Sequence, residues 1–85
     1  MDIFLSNESL AVEATMSDRE SDKLYDVLER VAADVDEAKA DPRNRFISSR
    51  SWWSTHIPGT VYTAFWFSDD MLRVILVANE NDYPH

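Results

Sequence analysis

The chain has 85 residues, of which 45% are hydrophobic and none is cysteine, and its formal net charge is −8. This length allows a single domain over residues 1–85, and the lack of cysteine excludes a disulfide framework and a thiolate metal site. So acidic a chain disfavours direct nucleic-acid binding, because phosphate contacts need positive surface. No apolar run approaches the roughly 18 residues of a membrane span, so we expect a cytoplasmic protein without membrane contact. With one glycine and two histidines, the chain has no glycine-rich phosphate loop and no helical spacing of histidine ligands, so we expect no cofactor and no metal.

The first two segments of the chain are short. Ile3–Leu5 reads IFL between polar residues, which suits a short strand. Residues 8–16 are compatible with two structures. Their apolar residues alternate as in a strand, whereas the alanines and a cap at Asn7 or Ser9 suit a short helix. Nine residues leave both interpretations open.

A long acidic helix is predicted at about 18–39. Ser17 and Glu20 have the spacing of a capping box, and apolar residues then recur at intervals of three and four. Pro42 ends the pattern, because the residue before a proline avoids the helical conformation. The apolar stripe should pack on a sheet, and the acidic residues off the stripe form a predicted acidic surface. These acidic residues are Asp22, Asp26, Glu29, Asp36 and Glu37.

Three strands are predicted in the second half of the chain, at about 50–57, 60–67 and 71–78. A polar, arginine-bearing link at 41–51 leads into them, and residues 79–85 are expected to leave the sheet as a flexible tail. The predicted fold class is therefore α+β. It has an antiparallel sheet of three or four strands, with the acidic helix packed on one face.

The turn between the last two strands decides which side chains share a face. If Asp69-Asp70 is a two-residue loop, Phe67 lies opposite Leu72 and Phe65 lies opposite Val74. This face is apolar, and the helix stripe is expected to pack there.

The second face of the sheet is also largely apolar, which leaves three interpretations. It carries Tyr62 and Trp66, with Arg73 beside Trp66 as a cation–π pair. An even loop at the proline–glycine turn adds Trp53 to this face, and an odd loop adds Trp52. Aromatic residues and arginine are enriched at interfaces, so the face is a predicted binding surface for a protein partner or a second copy. Alternatively, the segment before the long helix covers it, or it holds a small molecule.

Groups suited to catalysis are few. Phosphodiester cleavage needs charge stabilisation and proton transfer, and four arginines, one tyrosine and one histidine could supply them. The other histidine, His56, lies in a predicted strand and is interpreted as an ordinary strand residue. The catalytic candidates are Arg43, Arg45, Arg50, Arg73, Tyr83 and His85.

The order of these elements resembles the RelE/ParE-type toxins of bacterial toxin–antitoxin modules. The resemblance rests on LSNESLAVEATMSDRESDKLYDVLERVAAD followed by WWSTHIPGTVYTAFWFSDDMLRVILVA, and it covers about 3–78. It implies that residues 8–16 are helical. Members of the family cleave mRNA on the ribosome or inhibit DNA gyrase, and an antitoxin neutralises them by wrapping an extended segment and a helix over the toxin sheet.

The resemblance implies a toxin-module protein, which we expect to act by binding an antitoxin or a target protein. The family's ribonucleases carry catalytic residues on the sheet and near the C-terminus, to which Arg73, Tyr83 and His85 would correspond. Asn79 and Glu80 replace the usual basic residue after the last strand, so we expect no nuclease activity. One alternative is a phage or mobile-element inhibitor whose acidic helix mimics nucleic acid. Another is an RNA endonuclease that uses the arginines with Tyr83 or His85.

Overall fold

The computed structural model describes residues 1–80, which form an α+β fold with a five-stranded mixed sheet. The strand order is β1-β5-β4-β3-β2. Strand β1 runs parallel to β5, and the other neighbours are antiparallel. The prediction of three or four antiparallel strands is therefore wrong in number and direction, whereas the α+β class is confirmed. The elements are β1 (Ile3–Leu5), α1 (Asn7–Glu13), α2 (Asp18–Ala33), α3 (Val35–Ala40), β2 (Arg45–Ile47), β3 (Trp52–His56), β4 (Tyr62–Ser68) and β5 (Leu72–Asn79).

The ambiguous segment after β1 is helical, as α1. Its N-cap is Ser6, whose hydroxyl accepts a hydrogen bond from the Ser9 backbone N–H at 3.1 Å. Ser9 has no exposed surface, and its own hydroxyl donates to the Val74 carbonyl at 3.1 Å. This bond fastens α1 to β5, because a buried hydroxyl needs a partner to offset its lost hydration.

The predicted long helix is two helices, α2 and α3. The capping box at its start is confirmed: the Glu20 N–H donates to the Ser17 hydroxyl at 3.2 Å, and the Ser17 N–H donates to the Glu20 carboxylate at 2.9 Å. Asp34 leaves the helical conformation, with φ −152° and ψ 86°. Its carboxylate then accepts the Glu37 N–H at 3.1 Å and caps α3. The prediction of one continuous helix is therefore wrong. An aspartate side chain can form a hydrogen bond with the nearby backbone and so begin a new helix.

Two further boundaries differ from the prediction. The link at 41–51 contains the three-residue strand β2, which the sequence analysis missed because polar residues flank it. Strand β5 extends to Asn79, which pairs with Tyr62, so the predicted tail begins too early. Residues 81–85 lie outside the described residues. Strands β3, β4 and β5 otherwise begin and end within two residues of the predicted positions.

The pairing of β4 with β5 also differs from the predicted one. Three residues separate the strands rather than two, so Phe67 lies opposite Arg73 and not opposite Leu72. A register shift follows between Phe65 and Trp66. Such a bulge leaves one residue of a strand without a direct partner. The odd turn places Leu72 on the face of Trp66, and the bulge further along sets Leu76 rather than Ile75 opposite Phe65.

The helices pack on the face of Trp66, and the prediction that they cover the face of Phe65 and Phe67 is wrong. The apolar stripe of α2 is confirmed, since Leu24 and Leu28 join Trp66 in the core without exposed surface. Ile57 follows β3 and closes the same cluster. The core cluster consists of Leu24, Leu28, Val31, Ala32, Ile57, Tyr62, Ala64, Trp66, Leu72, Val74 and Val77.

Candidate binding face of the sheet

The face of the sheet that is turned away from the helices carries aromatic residues and an arginine. The register places Phe4, Arg73 and Phe67 side by side on β1, β5 and β4. Phe65 and Leu76 pair in the next row. Side chains alternate between faces along a strand, so Trp52 lies on this side of β3. We call this surface the open face, and it comprises Phe4, Trp52, Phe65, Phe67, Arg73 and Leu76.

The open face presents part of its apolar surface to solvent. Phe4 is 51% exposed, and Trp52, Phe67 and Leu76 are partly exposed. Phe65 is 6% exposed, although it is not part of the core cluster beneath the helices. A contiguous exposed apolar patch on a small domain often marks an interaction site.

Arg73 is held in place at the centre of its row. Its Nε donates to the Asp69 carboxylate at 2.7 Å, and its Nη2 lies 3.4 Å from the Asp70 carboxylate. Its guanidinium lies over the Phe4 ring, 5.9 Å from the centroid. The Met71 N–H donates to Asp69 at 3.0 Å, and this bond, together with Arg73, lowers the pKa of Asp69 from 3.8 to about 2. The charge of Arg73 is therefore largely balanced.

The β2–β3 side of the open face carries cations without such balance. The Arg50 guanidinium lies 5.4 Å from the centroid of the Trp52 ring, a cation–π contact. Arg45 lies on β2 and is exposed. Among residues 1–80, neither arginine forms an ion pair with a carboxylate. The β4–β5 turn thus carries two carboxylates against one arginine, whereas the side towards β2 carries arginines without an ion pair.

Of the predicted partner-binding residues, Arg73 alone lies on the open face. Trp66 has no exposed surface and Tyr62 is 9% exposed, both in the core. Trp53 is partly buried and stacks on Trp66, with ring centroids 6.0 Å apart. Of the two alternatives left open by the sequence, the structure has the even loop, which sets Trp53 on the face of Trp66. The predicted cation–π pair of Trp66 with Arg73 is wrong, because Arg73 lies over Phe4 instead.

The sequence reasoning missed Phe4 and Phe67 as surface residues. Phe67 was assigned to the helix side because a two-residue turn was assumed. Phe4 is the middle residue of a three-residue strand, and nothing in its local pattern indicates the parallel pairing that sets it beside Arg73. The flanking Ile3 and Leu5 pack against the core, which turns Phe4 to the other face, but all three residues are apolar and the sequence does not show this difference.

The catalytic candidates do not meet at one place. Arg43 pairs with Asp41 at 2.7 Å, which lowers the pKa of that carboxyl, and Arg73 pairs with Asp69. Tyr83 and His85 lie outside the described residues. The His56 Nδ1 lies 2.8 Å from the Glu80 carboxylate, and both side chains are about half exposed. This contact links β3 to the residue after β5.

The predicted acidic surface lies on the other side of the molecule. Asp22, Asp26 and Glu29 on α2 and Asp36 and Glu37 on α3 are all exposed. Within residues 1–80, none of them forms an ion pair. Their charges therefore remain unbalanced locally.

A groove of about 610 Å³ lies between the α2–α3 segment and β3. Some of its polar groups are paired within the protein: Asp41 pairs with Arg43, Asn44 donates to the Ala38 carbonyl at 2.9 Å, and Thr55 accepts from Trp66. Arg30 and Glu37 also line the groove, and neither forms an ion pair within residues 1–80.

Among the described residues, no group of three or more His, Asp or Glu side chains lies close enough together to bind a metal ion. The helices within residues 1–80 are too short or too polar to cross a membrane. Comparison with known proteins gives no match to a family model, to a curated protein or to a solved structure.

Proposed function

We propose that the chain is a cytoplasmic, RelE/ParE-like toxin-module protein that acts by binding a protein partner on the open face. The observation that carries the proposal is the asymmetry of the sheet. One face is closed by the helices around Trp66, and the other presents Phe4, Phe67 and Arg73 to solvent. Aromatic residues and arginine in this setting are the residue types that dominate binding energy at interfaces.

The shape of the open face favours a protein over a small molecule. Small ligands bind in concave pockets that bury most of their surface. The open face consists of adjacent rows on extended strands, in which Phe67 and Leu76 stand on neighbouring strands of one sheet. A partner that lies flat on the sheet would cover these rows, as the expected antitoxin segment would.

The charges of the open face favour a protein over RNA. Nucleic-acid binding needs a net positive surface. Arg73 is balanced by Asp69 and Asp70, and the whole chain carries a net charge of −8. A partner with apolar side chains would cover the aromatic rows without needing phosphate groups.

Site-specific photo-crosslinking tests the proposal. A photoreactive phenylalanine analogue replaces Phe67 on the open face or, as the control, Leu10, which is 45% exposed on α1. The protein is expressed in its native host together with the products of its neighbouring genes. We expect a defined crosslinked protein from position 67 that is absent from position 10.

A separate variant, Phe67→Glu, tests whether the crosslinked partner depends on the open face. It should abolish co-purification of the crosslinked partner, because it places a charge in the middle of the apolar rows. Leu10→Glu should leave co-purification intact. Equal crosslinking from both positions, or co-purification that survives Phe67→Glu, would show that the open face is not the binding surface.

The acidic surface supports a second candidate function, as an inhibitor that mimics nucleic acid and occupies a basic groove. The supporting observation is that Asp22, Asp26 and Glu29 are exposed and unpaired within the described residues. Such charges would accelerate association with a basic protein at low salt. Reversing all three to lysine should slow association and flatten its salt dependence. Unchanged kinetics would assign these residues to solubility.

A further inference from the structure

Strand β2 is an edge strand with one free side. Within residues 1–80, the strand order places β3 on one side of β2 and no strand on the other. Its three residues, Arg45–Ile47, pair with Trp52 to Ser54 of β3. An unprotected edge exposes backbone N–H and C=O groups that can pair with another chain.

The side chain of Phe46 makes this edge apolar on the helix side of the sheet. Phe46 pairs with Trp53, which in turn pairs with Trp66, so the three rings form one row. The ring centroids of Phe46 and Trp53 are 5.1 Å apart, and those of Trp53 and Trp66 are 6.0 Å apart. The row begins in the core and ends at Phe46, which is 53% exposed. One more strand would continue the row and cover Phe46.

The same edge is positive on the other side of the sheet. Arg45 points there, because it is next to Phe46 and side chains alternate. Arg50 lies in the turn that joins β2 to β3, and both arginines lack a carboxylate partner within residues 1–80. The opposite edge, β1, begins beside Asp2 and carries no lysine or arginine of its own. Positive charge therefore distinguishes the β2 edge.

We propose that the β2 edge binds an extended segment of a protein partner in which acidic and apolar residues alternate. The segment adds a sixth strand beside β2. Its apolar side chains cover Phe46 on the helix side, and its carboxylates lie next to Arg45 and Arg50 on the other. Main-chain hydrogen bonds supply affinity in this mode of recognition, and the alternating side chains supply specificity.

This edge site goes beyond the proposed function, and the two stand or fall separately. The open face is centred on β4 and β5 and is tested at Phe67. The edge site is tested at Arg45, which is exposed, so its substitution should leave the fold intact.

A charge-swap titration tests the edge site. The probe is a fluorescently labelled peptide of alternating glutamate and valine, and the control peptide carries lysine in place of glutamate. Fluorescence anisotropy should show binding of the glutamate peptide to the wild type and weak or no binding of the lysine peptide. A peptide with the same glutamates and valines in two blocks should bind at least about tenfold more weakly, because it cannot place the two residue types on opposite faces.

The decisive variant is Arg45→Glu. It should weaken binding of the glutamate peptide about tenfold or more and strengthen binding of the lysine peptide, because the cross-strand pair is reversed. Arg19→Glu, on an exposed position of α2, is the matched control and should change neither affinity by more than about twofold. Circular dichroism would establish that both variants are folded.

Several results would overturn the edge site. Equal affinity for both alternating peptides would exclude charge recognition at Arg45. Binding that is lost in Phe67→Glu but not in Arg45→Glu would place the peptide on the open face. Displacement of the peptide by a single-stranded uridine oligonucleotide, dependent on Arg45, would make the edge a nucleic-acid site. Concentration-dependent self-association that Arg45→Glu abolishes would make the occupant a second copy of the chain.

Discussion

The indole N–H of Trp66 donates a hydrogen bond to the hydroxyl of Thr55, 2.8 Å away on the neighbouring strand. Trp66 has no exposed surface and Thr55 is 8% exposed, so water does not offer a substitute partner. The bond satisfies the one polar atom of the largest side chain in the core. It explains why a tryptophan can lie at full depth beneath the helices.

Replacing Thr55 with valine keeps the shape of the side chain and removes the acceptor. We expect Thr55→Val to lower the free energy of unfolding by ~1–3 kcal/mol, because the indole N–H is left buried and unpaired. Urea unfolding followed by tryptophan fluorescence would measure this change. Thr63→Val is the control, since its hydroxyl donates to the exposed Glu80, and should cost less than ~0.5 kcal/mol. A similar loss in both variants would contradict the assigned role.

The packing of α2 on the sheet depends on Leu28, which has no exposed surface. Leu28→Ala should destabilise the protein by ~2–5 kcal/mol, because it removes buried methyl groups and leaves a cavity. The control is Leu10→Ala at a position that is 45% exposed. Thermal and urea unfolding of both variants would compare them. A loss below ~1 kcal/mol for Leu28→Ala would mean that α2 packs through other residues.

The pH dependence of stability should carry a contribution from Asp69. Its pKa is lowered from 3.8 to about 2, mainly by the Met71 N–H and further by Arg73. A carboxyl with a lowered pKa stabilises the fold above its unfolded pKa, and this stabilisation disappears as the pH falls from about 4 to about 2. Asp69→Asn should therefore lose less stability over this window than the wild type. Asp22→Asn controls for the removal of one exposed carboxylate. Identical curves of stability against pH for all three proteins would show that Asp69 makes no such contribution.

Purified protein is expected to leave RNA intact, alone or with ribosomes. Cleavage needs a cation that is free to stabilise developing charge and a positioned proton donor or acceptor. Arg43 and Arg73 are each paired with a carboxylate. Arg45 and Arg50 have no ion pair within residues 1–80, but His56, the one histidine of that part of the chain, is paired with Glu80. Incubation of labelled mRNA with the wild type and with Arg73→Ala would test this. Cleavage by the wild type that Arg73→Ala abolishes would make the chain a ribonuclease.

The sequence predicts the elements whose signals are local. The α2 capping box at Ser17 and Glu20 and the apolar stripe that includes Leu28 are readable because each depends on residues three or four positions apart. The break at Asp34 was missed, since an aspartate within an acidic helix gives no sign of whether its carboxylate faces solvent or caps the next turn. Strand β2 was missed because it begins with an arginine and lies in a polar segment, whereas β1, which is equally short, is apolar throughout.

The sequence does not predict which face of the sheet the helices cover. The turn before Leu72 decides whether Leu72 and Val74 share a face with Phe67 or with Trp66, because a shift of one residue reverses which side chains meet. The bulge between Phe65 and Trp66 then shifts the pairing by a second residue. The candidate site therefore moved from Trp66 to Phe67, while Arg73, which lies close to the turn, kept its place on the surface.

The parallel pairing of β1 with β5 constrains the order in which this protein can be completed during synthesis. Residues 3–5 lie beside residues 72–74, and the Leu72 N–H donates to the Asp2 carbonyl at 2.8 Å. During synthesis, β1 therefore remains unpaired until β5 has left the ribosome. Nascent chains stalled before residue 72 should remain open to proteolysis near Phe4, and those released beyond β5 should resist it.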